Sequence, residues 1–280
     1  MTWADVAEGL KLNIHGLEAA LAIAATCSYI GVYVVLKRIV FVGASLSQIS
    51  SAGVALAFLL GASFPLLQRQ PLAVSLAVTL VGVFIYSQQT LSRRIPREAI
   101  IGIGYLVASA LTLIFIVRSP KGLEEVKELL DGNVVMVDTA ELHAMMWVFA
   151  GVAAVHLLFY KQFLFVSFDP ETAATQGFRP RAWELLFYLV LGVTITVAIQ
   201  YAGLLAVFAY LVIPAVTGLL AARRMVGAFT IAVASAVVST LVGFALSLKW
   251  DLPISPPIIA VSAALLGTVW LARHAVREAD

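Results

Sequence analysis

Charged residues are missing from long stretches of this chain, and the apolar runs between them set its architecture. Ala99–Val117, Met225–Leu248 and Leu252–Leu271 contain no Asp, Glu, Lys or Arg, and each approaches the roughly 20 residues that a helix needs to cross a hydrocarbon core of about 30 Å. The run Leu185–Ala222 is too long for one crossing, about 57 Å as a helix. The sequence predicts a reversal near Gln200, Tyr201 and Gly203. Read in this way, the chain predicts spans at 16–36, 43–61, 71–90, 98–117, 141–160, 183–199, 203–222, 226–247 and 255–272. The second is short and is expected to begin at a break in the membrane, which leaves eight or nine crossings.

Composition supports the same reading. Of the 280 residues, 61% are hydrophobic and 12% charged, and the mean hydropathy is +0.99. A soluble domain carries charge on about a quarter of its residues, so this chain has too few charges to cover a water-facing surface. The expected fold is an all-α, polytopic membrane helical bundle, one transmembrane domain over residues 1–280. A net charge of +2 gives no basis for a nucleic-acid partner, and lipid is the surrounding solvent. Cys27 is the sole cysteine, so no intrachain disulfide can form. Asp5 and Glu8 stand where a signal peptide would be basic, so insertion is expected to rely on the first span.

The cations orient the bundle. With the N-terminus outside, the inner segments hold Lys37, Arg38, Arg93, Arg94, Arg97, Lys161, Arg179, Arg181, Arg223, Arg224, Arg273 and Arg277. The outer ones hold only Lys11, Arg69, Arg118, Lys121, Lys127 and Lys249. The positive-inside rule then favours an outer N-terminus and an inner C-terminus. Two connecting segments are long enough to do work. The outer loop 119–139 starts amphipathically, with Leu123, Val126, Leu129 and Leu130. The inner segment 168–181 reads FDPETAATQGFRPR. Asp169 is an N-cap type there, Pro170 fits the first helical position and Glu171 complements the positive helix end. Gly177 supplies a stop, giving a short inner helix over about 168–177.

Motifs exclude several classes. No GxxxxGK[ST] loop, zinc-spaced Cys/His cluster or Ser/His/acid arrangement occurs, so neither ATP binding nor catalysis is assigned to this chain, and transport remains. Several separated blocks, spread over nearly the whole chain, then resemble the metal-type ABC importer permeases, the family that moves zinc, manganese or iron. They are GVYVVLKRIVFVGASLSQISSAGVALAFLLG (31–61), REAIIGIGYLVASAL (97–111), LLDGNVVMV (129–137), SFDPETAATQGF (167–178), GLLAVFAYLVIPAVTGLLAAR (203–223) and DLPISPPIIAV (251–261). The resemblance implies a homodimer and a separate ATPase that binds ATP and magnesium. It also implies an extracytoplasmic solute-binding protein that delivers the substrate. In this reading Phe168, Asp169, Pro170 and Glu171 form the helix that docks on the ATPase.

Within that family an Asp follows the glycine of the first block and a His stands four residues later, a spacing that puts both on one helix face. Here Gly43 is followed by Ala44, and Gln48 takes the His position. The resemblance therefore points to a path lined by Ala44, Ser47, Gln48 and Ser51, but without its usual ligand pair. The substrate is either a metal held by other groups, weakly or as a chelate, or a neutral organic molecule hydrogen-bonded by Gln48 with Ser47, Ser50 and Ser51. Ser45 and Ala52 read as packing residues. His15 and Glu18, three apart near the outer end of the first span, form either an intake site for a cation or a hydrated interfacial pair. His156 is either buried and bonded to the backbone or a path residue, and His143 reads as interfacial. Glu98 and Glu184 complement helix starts. Pro214 predicts a kink in its span, useful for gating. A secondary transporter working without an ATPase is the rival class. It calls for a titrating charge at mid-membrane, and His156 is the one residue that offers it.

Overall fold

The computed structural model describes residues 3–61, 63, 64, 67, 69–88, 96–119, 132 and 137–279. The described residues form helices and connecting turns. In chain order these are α1 (Trp3–Leu12), α2 (Ile14–Leu36), α3 (Val40–Gly61), α4 (Pro71–Ser87), α5 (Arg97–Arg118), α6 (Thr139–Leu158), α7 (Tyr160–Phe168), α8 (Pro170–Thr175), α9 (Pro180–Ala221), α10 (Met225–Trp250) and α11 (Ser255–Ala279). Seven of them, α2, α3, α5, α6, α9, α10 and α11, are long and apolar enough to cross a membrane, and α4 is a shorter apolar helix. The second span does not start late: α3 begins at Val40 and runs for 22 residues. The expected amphipathic start of the outer loop, 123–130, and the inner arginines Arg93 and Arg94 lie outside the described residues.

Helix α9 spans 42 residues and contains one non-helical residue, Gly203, at φ 77° and ψ 166°. That dihedral pair is open to glycine and costly for any residue with a Cβ, which is why the interruption falls there. Pro214 lies further on, inside the second half of α9. A break exposes backbone groups that lipid cannot satisfy. Here the Ser255 hydroxyl donates to the Ala202 carbonyl at 3.1 Å. Gly132, itself at φ 75°, lies so close to the same stretch that an added Cβ would meet the Tyr201 carbonyl oxygen at 2.2 Å.

The chain divides into two compact units. The first comprises Met1–Arg38, Asp131–Phe149 and Tyr201–Asp280. In it α10 packs against α2 and α11, and α1 rests on α10 and α2. Small residues set these distances, because between apolar helices in lipid the gain comes from close van der Waals packing. A Cβ on Gly31 of α2 would fall 2.2 Å from the Leu211 carbonyl oxygen, and one on Gly243 of α10 would fall 2.6 Å from the Ile258 Cα. Buried Tyr210 shares a 2.6 Å hydrogen bond with Thr240, so the phenol is satisfied away from water.

The second unit comprises Ile39–Leu130 and Ala150–Gln200. Its axis is α3, which packs against both α4 and α5. Gly53 of α3 abuts Ser75 of α4, and Gly192 of α9 abuts Val83 and Thr79 of α4. Thr196 of α9 donates to Thr79 across 3.1 Å. The amount of protein cover differs sharply among the helices. About 61% of the apolar window of α2 and of α3 is buried, against 22% for α5 and for α11. The first pair is enclosed by protein, whereas α5 turns Ile103, Leu106, Leu113 and Val117 outward.

Candidate functional site

The polar stretch on α3 separates into two sets. Ser45 is bonded to the Tyr86 hydroxyl at 2.5 Å and donates to the Ile101 carbonyl at 3.1 Å. Ser50 is bonded to Ser75 at 2.9 Å, and the Ser75 hydroxyl also donates to the Ser50 carbonyl at 2.7 Å. Ser47 donates back to the Gly43 carbonyl, one turn earlier, at 2.9 Å. These three serines are buried, and Ser45 and Ser50 tie α3 to α4 and α5. Ser50, weighed in the sequence as a substrate donor, is thus engaged with Ser75.

Ala44, Gln48 and Ser51 follow one another at helical spacing along a stripe. The residues that meet α4, Ile49, Ser50 and Gly53, lie on the opposite side of the helix. Ala44 and Gln48 are half-buried. The Ser51 hydroxyl is enclosed, with the residue 2% exposed, and among the described residues it has no hydrogen-bond partner. A buried hydroxyl without a partner costs on the order of 1–3 kcal/mol, which sets Ser51 apart from Ser45, Ser47 and Ser50.

The second feature is α8 and its surroundings. Asp169 caps it: one carboxylate oxygen accepts the Thr172 amide at 2.9 Å and the other accepts the Thr172 hydroxyl at 2.6 Å. These bonds favour the ionised form and hold the Asp169 carboxyl below its usual range. Pro170 takes the first helical position and Glu171 stands in the first turn, where a negative charge meets the positive helix end. At the other end Gly177 adopts φ 87°. The Phe178 amide reaches the Ala173 carbonyl at 3.1 Å and the Gly177 amide reaches that of Ala174 at 3.2 Å, which is the Schellman pattern. Phe178 packs edge-on against Phe165 of α7. Both ends are therefore fixed by local chemistry while the helix body faces outward. Ala173 is its one buried residue, and the neighbouring Phe168 is 59% exposed.

The remaining candidates separate from these two features. His156 is fully buried, bonded through Nδ1 to the Val152 carbonyl at 3.1 Å, and stacked on Phe163 with Phe187 edge-on. The geometry is that of the buried, backbone-bonded alternative. His15 and Glu18 approach to 3.5 Å on the exposed surface of α2, and Glu18 also borders a cleft of about 540 Å³ with Leu142, Met146 and Val237. His143 is exposed, as is Glu98 in the first turn of α5. Glu184 accepts from the Tyr188 hydroxyl at 3.2 Å. Among the described residues no group of three or more His, Cys, Asp or Glu side chains is placed to hold a metal ion. Sequence reasoning missed Tyr86 and Ser75, the partners that distinguish committed serines from uncommitted ones. Both lie dozens of positions away and belong to no motif.

The manganese transport system membrane protein MntC of Halalkalibacterium halodurans is 26% identical over 251 residues, covering 90% of this chain and 84% of its own. The "Probable iron transport system membrane protein" of Haemophilus influenzae is 27% identical over 255 residues, 89% of each chain. Among solved structures, PsaBC from Streptococcus pneumoniae in complex with Fab shares the fold, with a TM-score of 0.84 at 21% identity over 96% of this chain and 95% of that one. The profile of the ABC 3 transport family matches residues 11–272. This multi-pass membrane protein belongs to the ABC 3 transport family.

Proposed function

We propose that this chain is the permease subunit of an ABC importer for a transition metal, manganese or iron in the first place and zinc in the same class. It works as a homodimer driven by a separate ATPase that binds ATP and magnesium, and an extracytoplasmic solute-binding protein supplies it. The names of the relatives support the metal class. The observation that carries the reading is α8: a capped, outward-facing helix flanked by exposed Phe168 is a ready docking element for a soluble partner. The proposed topology has nine crossings, with α9 crossing twice around Gly203 and α4 crossing as a short helix, so that the N-terminus is outside and α8 inside. Closure of the ATPase dimer would then pull on α8 and, through the Phe165–Phe178 contact, on α7.

The test is co-purification of the permease with its ATPase and ATP-dependent uptake in proteoliposomes. Asp169→Ala combined with Glu171→Lys should abolish both while the permease still assembles. Unchanged association and uptake would remove α8 from the coupling role.

A further inference from the structure

Building on the reading of α3 as part of the transport path, we infer that the path takes its metal still clothed in oxygen, as a hydrated or chelated ion, and recognises that shell through neutral hydrogen-bonding groups on the Gln48–Ser51 stripe. Three observations support this. Ser45, Ser47 and Ser50 spend their hydroxyl protons within the bundle, whereas the Ser51 hydroxyl is enclosed with no partner among the described residues. The Gln48 amide, a turn away on the same stripe, forms no hydrogen bond among the described residues, although it is half-buried. The stripe begins at Ala44, which has no donor atom in its side chain, and the described residues hold no metal-binding cluster of acids, histidines or cysteines.

Chemistry then selects the ligand. Stripping water from a divalent ion demands charged or strongly basic ligands in its place, and one amide with one hydroxyl cannot supply them. An amide and a hydroxyl do match the surface of an aquo ion or a carboxylate chelate, which offers both donors and acceptors. Such a site holds its cargo weakly and releases it readily, as a conduit must.

The experiment uses the purified permease in nanodiscs and, in parallel, the reconstituted transporter. Titrated with Mn²⁺, the wild-type permease should show no saturable binding in the micromolar range. Ala44→Asp with Gln48→His places a carboxylate and an imidazole one turn apart, and should tighten Mn²⁺ binding at least about a hundredfold. In uptake, Gln48→Leu with Ser51→Ala should lose roughly tenfold or more in rate, with melting temperature and ATPase association retained, while Ser51→Thr keeps most of the rate. Uptake of Mn²⁺ alone identifies the hydrated ion as cargo, and uptake only of manganese citrate identifies the chelate. Submicromolar Mn²⁺ binding by the wild-type permease that Gln48→Leu abolishes would overturn the inference, as would undiminished uptake by the double variant. Neither result would touch the importer reading, which fails separately if no ATPase associates with the chain.

Discussion

The contact between Gly53 and α4 sets how closely the helix carrying the polar stripe is held. A Cβ at Gly53 would stand 2.6 Å from the Ser75 Cα and 3.2 Å from the Val78 Cβ, where ordinary contact begins at 3.4 Å. The obstacle is backbone, so Gly53→Ala must push α4 back by about 0.8 Å, which lengthens the 2.9 and 2.7 Å Ser50–Ser75 bonds past the usual range for hydroxyl pairs. Overpacking of this kind costs about 1–3 kcal/mol, and an interhelical bond in a membrane protein is worth about 0.6 kcal/mol. Alanine returns about 0.5–1 kcal/mol through its better helix propensity. The net expectation is a loss of about 1–3 kcal/mol. Gly102 of α5 is the internal control, because a Cβ there meets nothing within 4 Å, so Gly102→Ala should gain about 0.5–1 kcal/mol. Unfolding of both variants in mixed micelles, followed by loss of helix signal against denaturing detergent, gives the comparison. If Gly53→Ala proves as stable as Gly102→Ala, the close packing of α3 on α4 is wrong, and the sorting of serines built on it falls too.

Three further outcomes follow from particular contacts. Gly177→Ala meets no steric obstacle but must hold φ 87°, a cost of about 1–2 kcal/mol. It should weaken ATPase coupling, and Gly177→Asn, which tolerates this conformation, should weaken it less. The Asp169 carboxyl is held below its ordinary value, so the cap is present above the usual carboxylate range and is lost as pH falls through the lowered value. Amide exchange at Thr172 should therefore accelerate only as pH falls below the ordinary carboxylate range, and Asp169→Asn should flatten that dependence while keeping slow exchange. Tyr210→Phe, which leaves Thr240 bonded to the Ala236 carbonyl, should cost only about 0.6 kcal/mol in the same unfolding assay.

The sequence exposed most of the fold because lipid imposes a coarse rule that composition cannot hide. Uncharged runs marked the spans, and the excess length of the run ending at Ala222 located the interruption that the structure places at Gly203. Helix α1 escaped notice: Asp5, Glu8 and Lys11 make it polar, and its support comes from packing of Gly9 on Leu248 of α10, a contact that local pattern does not encode. The caps of α8 were legible because every partner lies within a few residues. The surroundings of His156 were not, since Phe163 and Phe187 reach it from α7 and α9. The same holds for the polar stretch of α3. Its serines look alike in sequence, and only Tyr86, Ile101 and Ser75 decide which are engaged between helices and which are not.

Cysteine accessibility tests the central claim most directly. Cys27 is the single cysteine and is buried, so a Cys27→Ala background accepts one new thiol at a time. A charged, membrane-impermeant thiol reagent applied to the reconstituted transporter during ATP turnover should modify Gln48→Cys and Ser51→Cys and leave Ser45→Cys and Ser50→Cys intact, with substrate slowing the first two. If all four positions react alike, or none does, the stripe does not line the path.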